Sequence, residues 1–179
     1  MNTICDFINE IAWEAGQQNR RILVWGDMFL FRHPDYNPNN SYTANAPSAE
    51  SEQYMLNHLN RRIIIADWQY DAKEAPVETA AVFVKAGFDC MLCPWDRSTE
   101  KMQSFLKTVK DLHLSGLIHT TWHTLSSGMP YVGLAAVGCF EEHPVFDRTA
   151  CAAMMRKAYF PNGDYLKSGW SKKQIGINA

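Results

Sequence analysis

Four tryptophans in this sequence hold the same place relative to their surroundings. Trp25, Trp68, Trp95 and Trp122 each close a short apolar run: RILVWGD, IIIADWQYD, FDCMLCPWD and GLIHTTWH. Each is followed within three residues by Asp27, Asp71, Asp96 or His123. An indole presents a flat face to the C–H faces of a sugar, and neighbouring carboxylates and amides accept hydrogen bonds from its hydroxyls. Brought to one place, the four indoles with Asp27, Gln69, Tyr70, Asp71, Asp96 and His123 would line a carbohydrate pocket. Tryptophan also fills cores, and one or two of these rings alone would read that way. Four at matched positions, each beside a polar residue, favour the pocket.

Other chemistries fit less well. Glycoside hydrolysis takes two carboxylates placed across the scissile bond. Asp27, Asp71 and Asp96 are available, but no pairing among them can be identified, and no apolar run ends in glutamate. A metal site could be assembled from Asp27, Asp67, Asp96, His119 and His123. Strand alternation, however, sets Trp122 on the face opposite His119 and His123, and neither HxH nor HExxH occurs. A metal-dependent barrel hydrolase therefore ranks third, and no cofactor is expected. The remaining histidines, His33, His58, His113 and His143, read as ordinary loop or helix residues. Cys90 and Cys93 form a CxxC, but residues three apart on a strand face opposite ways. With five cysteines and no second CxxC, they read as buried structural thiols.

The elements that would carry these residues follow from periodicity. Short apolar runs are what strands buried on both faces look like, as in a parallel sheet. If the strands are parallel, the four indoles share the end of the sheet where α/β proteins bind ligands. Between the runs the spacing predicts helices. Ile4, Phe7, Ile8, Ile11, Ala12 and Ala15 form one stripe ahead of Gly16. Ser48 or Ser51 caps a helix reaching about Asn60. Pro76 opens the next, with Val77, Ala80, Ala81 and Val84 before Gly87. Ser98 caps a helix with Met102, Phe105, Leu106, Val109 and Leu112 on one face. Pro130 opens another over YVGLAAVGCF, and a last one spans 147–159. The stretch RHPDYNPNNSYTANAP in 31–47 predicts a long surface loop, read equally as a lid or rim and as a disordered insertion.

The order is α-(βα)4 with an extra helix and a tail. Such repetition curls toward a (βα)8 barrel, which takes roughly 250 residues, so 179 residues hold half of one. The expected fold class is thus α/β, a half TIM barrel over 1–160 with a tail at 161–179. A four-stranded doubly wound sheet is the competing architecture, and no glycine-rich phosphate turn follows any strand.

The succession ILVWGDMF, IIIADWQYD, AGFDCMLCPWD and SGLIHTTWHT resembles the second half of the catalytic barrel of glycoside hydrolase family 20, the β-N-acetylhexosaminidases. The resemblance covers about residues 1–140. It implies that Trp25-Gly26-Asp27 is similar to the family's strand-five segment, Trp68 to its strand-six tryptophan, Asp96 to its strand-seven aspartate and Trp122 to its strand-eight tryptophan. It also implies a substrate-assisted mechanism whose Asp-Glu pair ends strand four, ahead of this chain, so that no catalytic residue is expected here. Thr124 stands where the family's strand-eight glutamate would be, and the strand-seven tyrosine has no clear counterpart.

The functional expectation is a hexosaminidase-like half barrel that binds sugar at a Trp-lined rim and is inactive without its missing half. The alternative is a non-catalytic carbohydrate-binding or assembly module. An open half barrel leaves two sheet edges and an apolar inner face. This predicts a homodimer of two halves, or docking on a chain carrying the other four strands. The formal charge of −2 provides no basic field for nucleic acid, and no run is apolar for long enough to span a membrane. The N-terminus lacks the pattern of a signal peptide, which predicts a cytoplasmic protein if the chain is complete.

Overall fold

The computed structural model describes residues 2–95, 98–122 and 125–162. Along the chain these form α1 (Asn2–Gln17), β1 (Leu23–Trp25), α2 (Ala49–His58), β2 (Ile64–Asp67), α3 (Glu78–Lys85), β3 (Asp89–Leu92), α4 (Thr99–Asp111), β4 (Gly116–Leu117), α5 (Leu125–Phe140) and α6 (Arg148–Tyr159). No helix among the described residues is long and apolar enough to cross a membrane.

The four strands make one parallel sheet in the order β1-β2-β3-β4, with Trp25 beside Ala66, Ala66 beside Met91 and Met91 beside Gly116. Consecutive strands are spatial neighbours throughout. A doubly wound sheet needs a reversal of strand order at a switch point, and this sheet has none. Alternation sorts the side chains onto two faces. Ile65, Cys90 and Leu92 are buried with Met55 and Leu56 of α2, Phe83 of α3 and Phe105 of α4 in one core. On the opposite face Leu23 is 41% and Trp25 38% exposed, and Ile64 and Met91 are half-buried. One face of the sheet is a helix-backed core and the other stays accessible.

A smaller core joins α4, α5 and α6 through Met102, Leu106, Tyr131, Leu134, Ala135 and Cys151. The small residues of YVGLAAVGCF have a direct use there. A Cβ at Gly138 would meet Leu106 Cδ1 at 2.2 Å, and one at Gly133 would meet Cys151 Cβ at 2.9 Å. Glycine at these two points lets the helices approach.

Ser48 and Ser98 cap their helices as the sequence predicts, each accepting a hydrogen bond from a backbone N–H of the first turn, and Asp147 does the same for α6. Gly87, at φ 86°, follows α3 in the left-handed region open to glycine. Other expectations are corrected. Pro130 lies inside α5, which begins at Leu125. Pro76 precedes α3, in a cis peptide bond with Ala75, and Val77 is the cap. The predicted stripe of α1 is too wide, since Cys5, Ile8 and Ala12 are buried but Ile4, Phe7 and Ile11 are exposed. Periodicity marks which residues are apolar, and the width of the partner surface decides how many of them it covers. The strands are also shorter than the runs that predict them, because a run continues as irregular chain past its last paired residue.

The 31–47 segment is neither a loose lid nor an unanchored insertion. Asn40 Oδ1 accepts from the backbone of Lys73 at 2.7 Å and of Glu74 at 2.9 Å. Gln69 clamps Thr43 from both sides, accepting from its N–H at 2.7 Å and donating to its carbonyl at 3.0 Å. Glu52, buried in α2, accepts from Phe31 N–H at 2.7 Å, and Ser41 makes an antiparallel bridge with Asp71. The asparagines predict irregular backbone correctly. Their side chains then satisfy the backbone groups that irregular chain leaves unpaired.

Candidate functional site

The strands deliver their closing residues to the C-terminal end of the sheet. There Trp25, Asp27, Met28, Trp68, Tyr70, Trp95 and Trp122 line one concavity of about 590 Å³. Parallel direction puts equivalent positions of neighbouring strands side by side, so the matched spacing becomes spatial adjacency. The rings form a continuous wall. Trp25 and Trp122 have centroids 6.4 Å apart, Trp68 and Tyr70 5.1 Å, and Tyr70 and Trp95 5.2 Å, all tilted rather than stacked. Trp122, 60% exposed, stands at the mouth.

The polar groups of the wall are tied to the rings. Trp68 Nε1 donates to Asp27 Oδ1 at 2.7 Å, and Asn45 Nδ2 donates to Asp27 Oδ2 at 2.7 Å. Asp27 opens a short 3-10 turn (Asp27–Phe29) entered through Gly26. A Cβ on Gly26 would lie 2.8 Å from Ile65 Cγ2 and Phe83 Cζ, so glycine allows β1 to turn there against the core. Trp122 Nε1 donates to Tyr70 Oη, fixing the mouth tryptophan to a tyrosine from the neighbourhood of β2.

Behind the wall sits a buried carboxylate. Asp67, at the end of β2, is 0% exposed. Thr79 Oγ1 donates to it at 2.6 Å and Gln69 Nε2 at 2.9 Å. Burial pushes its pKa up to about 6 from an ordinary 3.8, with the two hydrogen bonds opposing and the charge of Asp27 adding to the rise. Gln69 thus links Asp67 to Thr43, and through it the end of β2 to the 31–47 segment whose Asn45 holds Asp27.

Of the residues singled out in sequence, Trp25, Asp27, Trp68, Tyr70, Trp95 and Trp122 come together in the concavity. Asp71 does not line it. Its carboxylate pairs with Lys101 Nζ at 3.0 Å, and the same ammonium donates to the Tyr70 carbonyl at 2.8 Å. Gln69 serves as a buried clamp rather than a lining group. Asp96 and His123 lie outside the described residues, as does Thr124. Sequence reasoning missed Met28 and Asn45. Asn45 sits in a stretch of several asparagines with nothing to distinguish it, and only the bridge from Asp27 sets it apart. Asp27, Trp68 and Tyr70 therefore owe their placement to neighbours on four separate segments.

Cys90 and Cys93 are free and buried, with burial pushing both thiols up, that of Cys93 to about 12. A thiol so placed stays protonated and inert. No group of three or more His, Cys, Asp or Glu able to hold a metal occurs among the described residues. No family model matches the chain, and no curated protein matches it in sequence.

Proposed function

We propose that this chain is the sugar-binding half of a TIM-type barrel, related to the β-N-acetylhexosaminidase-like glycoside hydrolases that its strand ends resemble. One observation carries the reading: four indoles and a tyrosine form one wall around a carboxylate at the C-terminal ends of adjacent parallel strands. Ring faces supply the apolar platform for a pyranose, and Asp27 supplies an acceptor for its polar edge. Titration of the chain with hexose and N-acetylhexosamine oligosaccharides, followed by the indole N–H resonances, tests it. Shifts at Trp25, Trp68, Trp95 and Trp122 are expected. Unmoved resonances at millimolar sugar would end the proposal.

Within that reading the chain binds and does not cleave. Asp27 is the one carboxylate in the described lining, while glycoside hydrolysis takes an acid and a second carboxyl group or substrate acetamide. The site is thus a non-catalytic module, or half of an enzyme whose acid comes from another chain. Turnover of an aryl N-acetylhexosaminide on adding that other half selects the enzyme; binding without turnover selects the module.

The flanking helices bear on what would close the sheet. A closed barrel alternates eight strands with eight helices. Here α1 lies beyond β1, bordering a groove lined by Leu23, Val24, Trp25 and Met28. At the other end α5 packs beyond β4, against Leu117 and α4. Two copies closing head to tail would bring α5 of one to the place held by α1 of the other. A partner of four strands with only the helices between them closes the ring with α1 and α5 each in a place of its own and α6 alone outside it. Complementation by such a segment is therefore favoured over a homodimer, and light scattering should find no barrel-closing dimer of this chain alone.

A further inference from the structure

The hydrogen-bond inventory of the concavity carries a statement about which sugar it takes. We propose that the glycan unit bound there bears a protonated amine, held by Asp27 and the surrounding ring faces; this rests on the carbohydrate reading above. Two of the four indole N–H donors of the lining are turned into the wall. Trp68 Nε1–H is spent on Asp27, and Trp122 Nε1–H on Tyr70 Oη. Thr120 Oγ1 lies 2.9 Å from the Pro94 carbonyl and 3.1 Å from Tyr70 Oη. Its single proton can go to the carbonyl, and its oxygen then accepts the proton of Tyr70.

The acceptors are not spent. Each oxygen of Asp27 takes one hydrogen bond, from Trp68 or Asn45, and a carboxylate oxygen has room for a second. Both donors are neutral, and no lysine, arginine or histidine stands in the described lining. The negative charge therefore opens on a recess walled by five aromatic rings, whose faces also attract cations.

Three kinds of sugar substituent meet this recess differently. A hydroxyl is donor and acceptor, and only its donor half is used by a carboxylate. A uronate or phosphate is repelled by Asp27 and meets no cation among the described lining residues. An ammonium group donates to Asp27 with charge assistance and lies against π faces. The preference is for the free amine, in contrast to the N-acetyl group implied by the resemblance.

Isothermal titration of the chain with glucosamine oligosaccharides, their N-acetylated counterparts and uronate-containing oligosaccharides tests this at a mildly acid pH that keeps the amine protonated. The amine form should bind about tenfold more tightly than the N-acetyl form, in the range of a partly desolvated cation–π and ion contact. The uronate should not bind. Asp27→Asn should bring the amine form down to the level of the N-acetyl form. A second readout needs no variant, because the preference of the native chain should vanish as pH rises through the pKa of the sugar's own amine. Equal affinities, or a preference that survives Asp27→Asn or amine deprotonation, overturns the amine inference and leaves the carbohydrate reading standing. Absence of binding by every saccharide removes the carbohydrate reading itself.

Discussion

The two faces of the sheet are built from the same kinds of residue and put to opposite uses. On one face Ile65 and Leu92 meet Phe83 and Phe105 with essentially no exposure. On the other, Leu23 and Trp25 remain open, and the wall continues through Trp68, Tyr70 and Trp95 to an exposed Trp122. The helix-backed face holds the fold, since its apolar area is removed from water by folding alone. The open face contributes little to folding and leaves its apolar area accessible. Composition would rank the two alike. The crossovers, which carry α2, α3 and α4 to the same side, make the difference.

That comparison can be broken at several points, the largest effect first. Phe83→Ala should destabilise the chain by about 3–5 kcal/mol in denaturant unfolding, as cavities in closed cores do. A much smaller loss would mean that the backed face is not the main core. Asp67 gives a pH-dependent version of the same test. Its folded pKa of about 6 lies above the ordinary 3.8, so the folded state holds the proton more tightly than the unfolded one. Its contribution is then most favourable below the ordinary carboxyl value. Stability should fall by about 3 kcal/mol as pH rises through the interval between the two values, and level off above it. Subtracting the curve of Asp67→Asn isolates that contribution; a difference that grows with pH in the opposite sense would contradict the assignment.

Gly138→Ala probes the second core, where the added Cβ meets Leu106 at 2.2 Å. Overpacking of this kind costs about 1–3 kcal/mol, and a neutral result in thermal melts would mean that α4 and α5 can part without loss. The smallest effect belongs to the open face. Leu23→Gln should change stability by about 0.5 kcal/mol or less. A large loss there would show that something covers this face in solution, and would turn the comparison around.

Much of this arrangement is legible in the residues. The apolar runs place all four strands, and Ser48 and Ser98 mark their helices because capping is a local interaction. The matched Trp-polar endings select six of the residues that meet in the concavity. What could not be read depends on distant partners. Asp71 and Asp27 look equivalent in the chain, yet one is drawn to Lys101 and the other to Trp68 and Asn45. Asp67 reads as a possible ligand and is instead a buried, hydrogen-bonded carboxylate on the helix side.

By itself the sequence determined the order and type of the elements, the parallel character of the strands and the grouping of the indoles, because each of these follows from local periodicity repeated in register. The tertiary structure alone decided which face of the sheet is closed, how the 31–47 segment is anchored and which carboxylate faces the rings. Those outcomes turn on contacts between segments tens of residues apart, and no pattern within a single segment encodes them.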